Sequence, residues 1–149
     1  MKIAIASDHA GLELKTEMVK VLQESGHAAQ DFGTHSGDSV DYPDFASQVA
    51  RAVQKQECEL GVLICGTGVG MSIVANKYRG VRAALCHTEF EARAARGHND
   101  ANVLCMGQRV TGVGVAASVM KAFLEGKFEG GRHERRVQKI RDAETENQR

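Results

Sequence analysis

The chain has 149 residues, a length that suits one domain with a continuous core, and no second independent unit is expected. Nineteen Lys and Arg balance nineteen Asp and Glu, so no global field draws nucleic acid or an anionic membrane, and any anion must be captured locally. The apolar start, Met1 to Ala6, is too short for a signal peptide, and no later run approaches a membrane span. A cytoplasmic protein is therefore expected.

The four cysteines, Cys58, Cys65, Cys86 and Cys105, form no C-x-x-C pair and read as reduced thiols. Cys105 reads as a small hydrophobe inside an apolar run. The histidines and cysteines show no metal-ligand spacing, and neither metal nor cofactor is expected.

In chain order, Ile3–Ala6 reads as a strand. A helix from about Gly11 to Ser25 follows, with Leu12, Lys15, Val19 and Leu22 near helical spacing and Gly26 as a stop. Ala28–Phe32 is a second strand. Pro43 suits the first turn of a helix running through Phe45, Val49 and Val53. Leu60–Cys65 is almost continuously apolar, as a strand buried on both faces requires. Then come a helix over Met71–Lys77, a strand over Val81–Leu85, a helix over Thr88–Arg96 and a strand over Val103–Met106. Helices over Gly112–Leu124 and Arg132–Glu146 close the chain, and the polar run Arg141–Arg149 is expected to fray.

This alternation predicts an α/β fold, a three-layer sandwich whose five-stranded parallel sheet is covered by helices on both faces. Such sheets bind ligands beyond the carboxyl ends of their strands. The segments just after the strands should then look functional, and they do: Ser7-Asp8-His9-Ala10-Gly11, Cys65-Gly66-Thr67-Gly68-Val69-Gly70 and Gly107-Gln108-Arg109.

Three glycines at alternate positions in the second segment let backbone N–H groups turn toward an anion, with a helix start behind them. The loop lacks the Lys-Ser/Thr of a P-loop and the spacing of a dinucleotide fingerprint; as a plain alternative it is only a tight strand-to-helix turn. Cys65 stands before it, where amides and a helix dipole favour a thiolate over the usual pKa of about 8.5. His98-Asn99-Asp100 sets an imidazole beside an amide and a carboxylate, either for proton transfer at a sugar oxygen or as a helix-ending turn. Asp8 could equally cap the following helix. Arg132 and Arg136, four apart on one helical face, can grip a phosphate or form a solvated surface, and Arg109 could add a third contact.

Together with Asp41-Tyr42-Pro43-Asp44, Ala75-Asn76-Lys77, Arg82-Ala83 and Glu129-Gly130-Gly131-Arg132-His133, these segments resemble ribose-5-phosphate isomerase type B, from residue 2 to about residue 140. The resemblance implies a Rossmann-like fold and a homodimer, or a higher oligomer, with active sites at the subunit boundary. It implies interconversion of ribose 5-phosphate and ribulose 5-phosphate, with a sugar phosphate as ligand. Cys65 would move the proton between C1 and C2, and His98 would assist ring opening. The amides of Gly66, Thr67, Gly68, Val69 and Gly70 would stabilise the enediolate, with Thr67 helping. Asp8 and Asn99 would contact sugar hydroxyls, Tyr42 would line the pocket, and His9, Arg109, Arg132 and Arg136 would hold phosphate, some from the partner. A second branch of the family uses a glutamate at the end of the glycine loop; Met71 stands there, which indicates the cysteine branch. The rival readings are a six-carbon sugar-phosphate isomerase, acting on allose or galactose 6-phosphate, and a non-catalytic phosphate-binding module.

Overall fold

The computed structural model describes residues 1–146. Five strands, β1 (Lys2–Ser7), β2 (Ala28–Asp31), β3 (Leu60–Cys65), β4 (Ala83–Leu85) and β5 (Val103–Gly107), form one sheet in the order β2-β1-β3-β5-β4. Every neighbouring pair is parallel. Four helices connect them, α1 (Leu12–Glu24), α2 (Tyr42–Gln54), α3 (Val69–Ala75) and α4 (Glu89–Asn99), and two follow β5, α5 (Val113–Glu125) and α6 (Arg132–Glu146).

Side chains alternate across a strand, so each strand feeds two cores. Ile3, Ile5, Val62, Ile64, Leu104 and Met106 pack on one face against Leu14, Met18 and Leu22 of α1, Ala92 and Ala95 of α4, and Val119, Met120 and Phe123 of α5. Ala4, Ala6, Leu63, Cys65, Val103 and Cys105 point the other way, toward Ala46, Val49, Ala50 and Val53 of α2 and Met71 and Ala75 of α3. Central β3 is buried along its whole length, as its continuous apolarity requires. Among the described residues no helix is long and apolar enough to cross a membrane.

Several expected boundaries move. The fourth strand begins at Ala83 rather than Val81, because Asn102 Oδ1 accepts the Arg82 amide and removes it from the ladder. Helix α3 starts at Val69 rather than Met71, since Gly68 already turns the chain with φ 80°. Helix α4 continues past Arg96 to Asn99 and stops where Asp100 adopts φ 47°. Through the first part of the expected polar tail α6 runs on to Glu146, Arg141 pairs with Asp100 and Glu134, and Glu144 accepts the Gly80 amide. Residues 147–149 of the expected polar tail lie outside the described residues.

The least expected core member is Lys15, whose side chain is 2 % exposed. Its ammonium donates to both carboxylate oxygens of Asp31 at 2.8 and 2.9 Å and to the Thr34 carbonyl at 2.7 Å. A buried cation is tolerated only with such partners. The pair ties α1 to the segment leaving β2, which leads on to Tyr42. Lys15→Ala strands the Asp31 carboxylate and is expected to lower stability by about 3 kcal/mol in urea denaturation.

Candidate active site

Chain direction through the sheet reverses at β1: β2 lies on one side of it and β3 on the other. The carboxyl ends of β1 and β3 therefore diverge there and leave a crevice. A cavity of about 500 Å³ occupies it, lined by Asp8, His9, Tyr42, Cys65, Gly66, Thr67, Val69, Gly70, Ile73 and Arg109.

Cys65, the last residue of β3, is 5 % exposed, and its Sγ accepts the Gly68 amide at 3.1 Å. The other three thiols lie elsewhere in the protein interior. Burial pushes Cys86 up to about 12 and Cys105 well above the ordinary thiol range, the latter helped by Cys65 and Cys86. Burial and a raised pKa both disfavour the reactive thiolate, in keeping with the hydrophobic reading of Cys105. After Cys65 the chain turns sharply into α3. The amides of Gly66, Thr67 and Gly70 meet no protein acceptor among the described residues. Thr67 Oγ1 accepts the Val69 amide at 3.3 Å.

Two glycines here cannot be replaced without moving something. At Gly68 a Cβ would lie 2.6 Å from Leu85 Cδ1 and 2.9 Å from the Met106 backbone, and its φ of 80° disfavours any side chain. At Gly70 a Cβ would fall 2.6 Å from the Tyr42 ring, so that ring closes over bare backbone.

Asp8 follows β1 and is 6 % exposed; its Oδ1 accepts the Ala10 and Gly11 amides at 3.0 and 3.1 Å. The capping reading is thus correct for a short 3-10 turn, His9–Gly11, and Asp8 lines the cavity as well. Oδ2 has no protein partner among the described residues and can accept from a ligand hydroxyl. His9 Nδ1 accepts the Val40 amide at 3.2 Å, so neutral His9 carries its proton on Nε2. Behind β5, the Gln108 amide donates to the Cys65 carbonyl and the Arg109 amide to the Gly66 carbonyl, which sets the Arg109 guanidinium against Gly66. Gln108 Oε1 also accepts the Leu14 amide at 3.0 Å, tying α1 to the same loop.

The remaining expected site residues do not line this cavity. His98 and Asn99 occupy the last turn of α4, and Arg132 opens α6 with Arg136 one turn on, both exposed. Neither arginine makes an ion pair among the described residues. Instead, Arg82, Arg96 and Arg141 gather on Asp100 at 2.8, 3.3 and 3.9 Å. One chain thus holds two groups of candidate residues, one at the strand ends and one at the ends of α4 and α6.

Three residues of this arrangement had no role in the sequence reading. Ile73 reaches the cavity from α3. Glu129 and His133 meet His98, with each imidazole Nε2 within 3.8 Å of Glu129 Oε2. Their only sequence signal was the motif Glu129-Gly130-Gly131-Arg132-His133, where the spacing of four matches one helical turn. The three donor atoms lie within 4.8 Å of one another. The two imidazoles are parallel within 5°, with centroids 4.3 Å apart, so their in-plane lone pairs do not converge on one ion at 2.0–2.1 Å.

A buried thiol, unused amides, a carboxylate, an imidazole and a guanidinium stand together at a parallel-sheet switch point, groups whose chemistry suits moving a proton and holding a small anion. The chain belongs to the ribose/galactose isomerase family, whose model matches residues 3–140. Ribose-5-phosphate isomerase B of Escherichia coli is 50% identical over 139 residues, covering 93% of each chain. A ribose-5-phosphate isomerase B structure from Clostridium thermocellum superposes with a TM-score of 0.97 at 50% identity, covering 99% of both chains. The Mycoplasma genitalium ribose-5-phosphate isomerase B, solved with bound ribulose-5-phosphate, has a TM-score of 0.93 at 46% identity and covers 97% of both.

Gly68→Ala adds both strain and a collision. It is expected to lower stability by about 2 kcal/mol in chemical denaturation.

Proposed function

We propose that this protein interconverts ribose 5-phosphate and ribulose 5-phosphate as a single isomerase domain spanning the whole chain, in the cytoplasm. The observation that carries the reading is the Cys65 thiol set beside the unused amides of the glycine loop in one cavity. Cys65, as thiolate, takes the C2 proton of the open-chain aldose, and negative charge builds on O1. The amides of Gly66, Thr67 and Gly70 face that charge, with the Thr67 hydroxyl beside them. Losing one such donor typically costs about 2.7–4 kcal/mol of transition-state stabilisation. The thiol then returns the proton to C1 while the O2 proton passes to O1, which yields the ketose with no net change in protons. Proton removal of this kind requires a base and oxyanion donors, and Cys65 and the loop amides supply both. Met71, the position a carboxylate base would take, is completely buried against the sheet, which favours Cys65.

Asp8 Oδ2 accepts a sugar hydroxyl, Tyr42 walls the pocket, and His9 Nε2–H and Arg109 contact phosphate. The exposed apolar side chains Val69 and Ile73 line this cavity, Val110 is exposed next to Arg109, and Phe90 stands 79 % exposed on α4. Such a rim suits a second copy of the chain. In the proposed homodimer, His98, Asn99, Arg132 and Arg136 of one copy complete the cavity of the other. His98 then donates a proton at the ring oxygen as the furanose opens, and the two arginines grip the phosphate.

Cys65→Ala is expected to abolish turnover in a coupled ribose 5-phosphate assay while sugar-phosphate binding persists; near-normal turnover would refute the base. Activity on six-carbon aldose phosphates alone, with none on ribose 5-phosphate, would point to the sister substrate class. Arg132→Ala and Arg136→Ala should each raise KM about tenfold with less effect on kcat. Unchanged KM in both returns these arginines to a solvated surface. The shared site has its own test, in which Cys65→Ala and His98→Ala chains, each defective, are co-expressed. Statistical mixing should restore about a quarter of wild-type turnover, because each mixed dimer keeps one intact site. Absence of any restoration would place all catalytic residues within one chain.

A further inference from the structure

The segment joining α5 to α6 wraps the end of α4 at several points. The Glu129 amide donates to the Gly97 carbonyl at 3.0 Å. The Glu129 side chain lies against the bare backbone of Gly97, where a Cβ would come 2.9 Å from Oε1. Gly130 and Gly131, with φ of 65° and 55°, then turn the chain so that α6 starts beneath His98. The first-turn residue His133 is 7 % exposed, and its ring lies flat under the His98 ring, 4.3 Å between centroids and parallel within 5°. His98 itself is half-exposed, with 43 % of its side chain open. Of the two imidazoles, one is therefore fixed by the interior and the other rests on it.

Resting on the proposed role of His98 as proton donor, we infer that His133 is a positioning residue: its buried ring is the plate that sets the plane of the His98 imidazole. Glu129 completes the device by facing both Nε2 atoms. Burial, then His98 and Arg132, hold the His133 imidazole below its ordinary range against the opposing pull of Glu129. A half-exposed side chain without such a support would sample several rotamers, and a misplacement of about 1 Å can cost on the order of a hundredfold in rate.

The test compares full-length wild type, His98→Ala, His133→Ala and His133→Phe in the ribose 5-phosphate assay, each with a melting curve. His133→Ala should lose about tenfold or more in kcat with KM within about threefold of wild type, because the phosphate-holding arginines remain. His133→Phe, which keeps a flat ring, should recover kcat to within about threefold of wild type. A separate readout is the His98 ring-proton NMR signal, assigned by its loss in His98→Ala. It should sit upfield in wild type and relax downfield in His133→Ala. An unchanged kcat in His133→Ala, a folded His133→Phe as poor as His133→Ala, or a His98 signal that does not move would each overturn the inference. If His98→Ala itself kept full kcat, the role of His98 would fall, and this inference with it. A dead His98→Ala beside a fully active His133→Ala sinks the inference alone.

Discussion

Everything at the candidate site depends on the reversal of strand order between β1 and β3. Both strands are parallel and hydrogen-bonded to each other from Ile3–Leu60 to Ser7–Ile64, so their carboxyl ends leave the sheet at one level. Because β2 and the remaining strands lie on opposite sides, the chain leaving β1 and the chain leaving β3 run apart over opposite faces of the sheet. Helices following such strands leave first-turn amides without intrahelical acceptors. The sheet thus fixes a thiol, a carboxylate and unused amides within one crevice, and it does so with rigid elements rather than mobile loops.

The arginines divide in the same way. Arg82, Arg96 and Arg141 are committed to Asp100, whose left-handed backbone ends α4. Breaking that cluster would loosen the helix end that carries His98 and Asn99. Arg109, Arg132 and Arg136 have no carboxylate partner among the described residues and are exposed. A chain with no net charge thus still has cations left to meet an anion: they are uneven in commitment rather than in number.

The fold was legible because its signals are local. The apolar run of β3, the helical spacing of α1 and the glycine after it each report one element without reference to any other. Strand order is a relation among distant segments and left no trace in the sequence. Errors at boundaries came from side chains that replace backbone partners, as Asn102 does for Arg82, and from Gly68, which begins a helix earlier than apolar spacing suggests. At the site, the residues after β1, β3 and β5 were readable because a parallel sheet dictates where to look. Glu129 and His133 carry no local signal of a role, since their partner His98 lies on another helix and only packing of α6 on α4 brings them together. Lys15 was counted as one position in an amphipathic pattern, while its buried pairing with Asp31 depends on where β2 ends.

In the proposed dimer, the division of the site between strand ends and helix ends has a consequence for the chemistry. A thiolate and an enediolate both gain from fixed amides far more when water is absent, because the local dielectric is then low. In an isolated chain the cavity is bordered by the exposed side chains Val69 and Ile73, with the exposed Val110 beside Arg109 in sequence, and it is open to water. Covering that rim with a second copy would bury apolar surface, bring His98 and the arginines to the substrate, and remove the water in one event. Completion and drying of the site would then be the same step, so a lone chain holding Cys65 and its loop would still be a poor isomerase. The same coupling explains why the support under His98 should be rigid: the ring must cross a subunit boundary already oriented, with no later rearrangement to correct it.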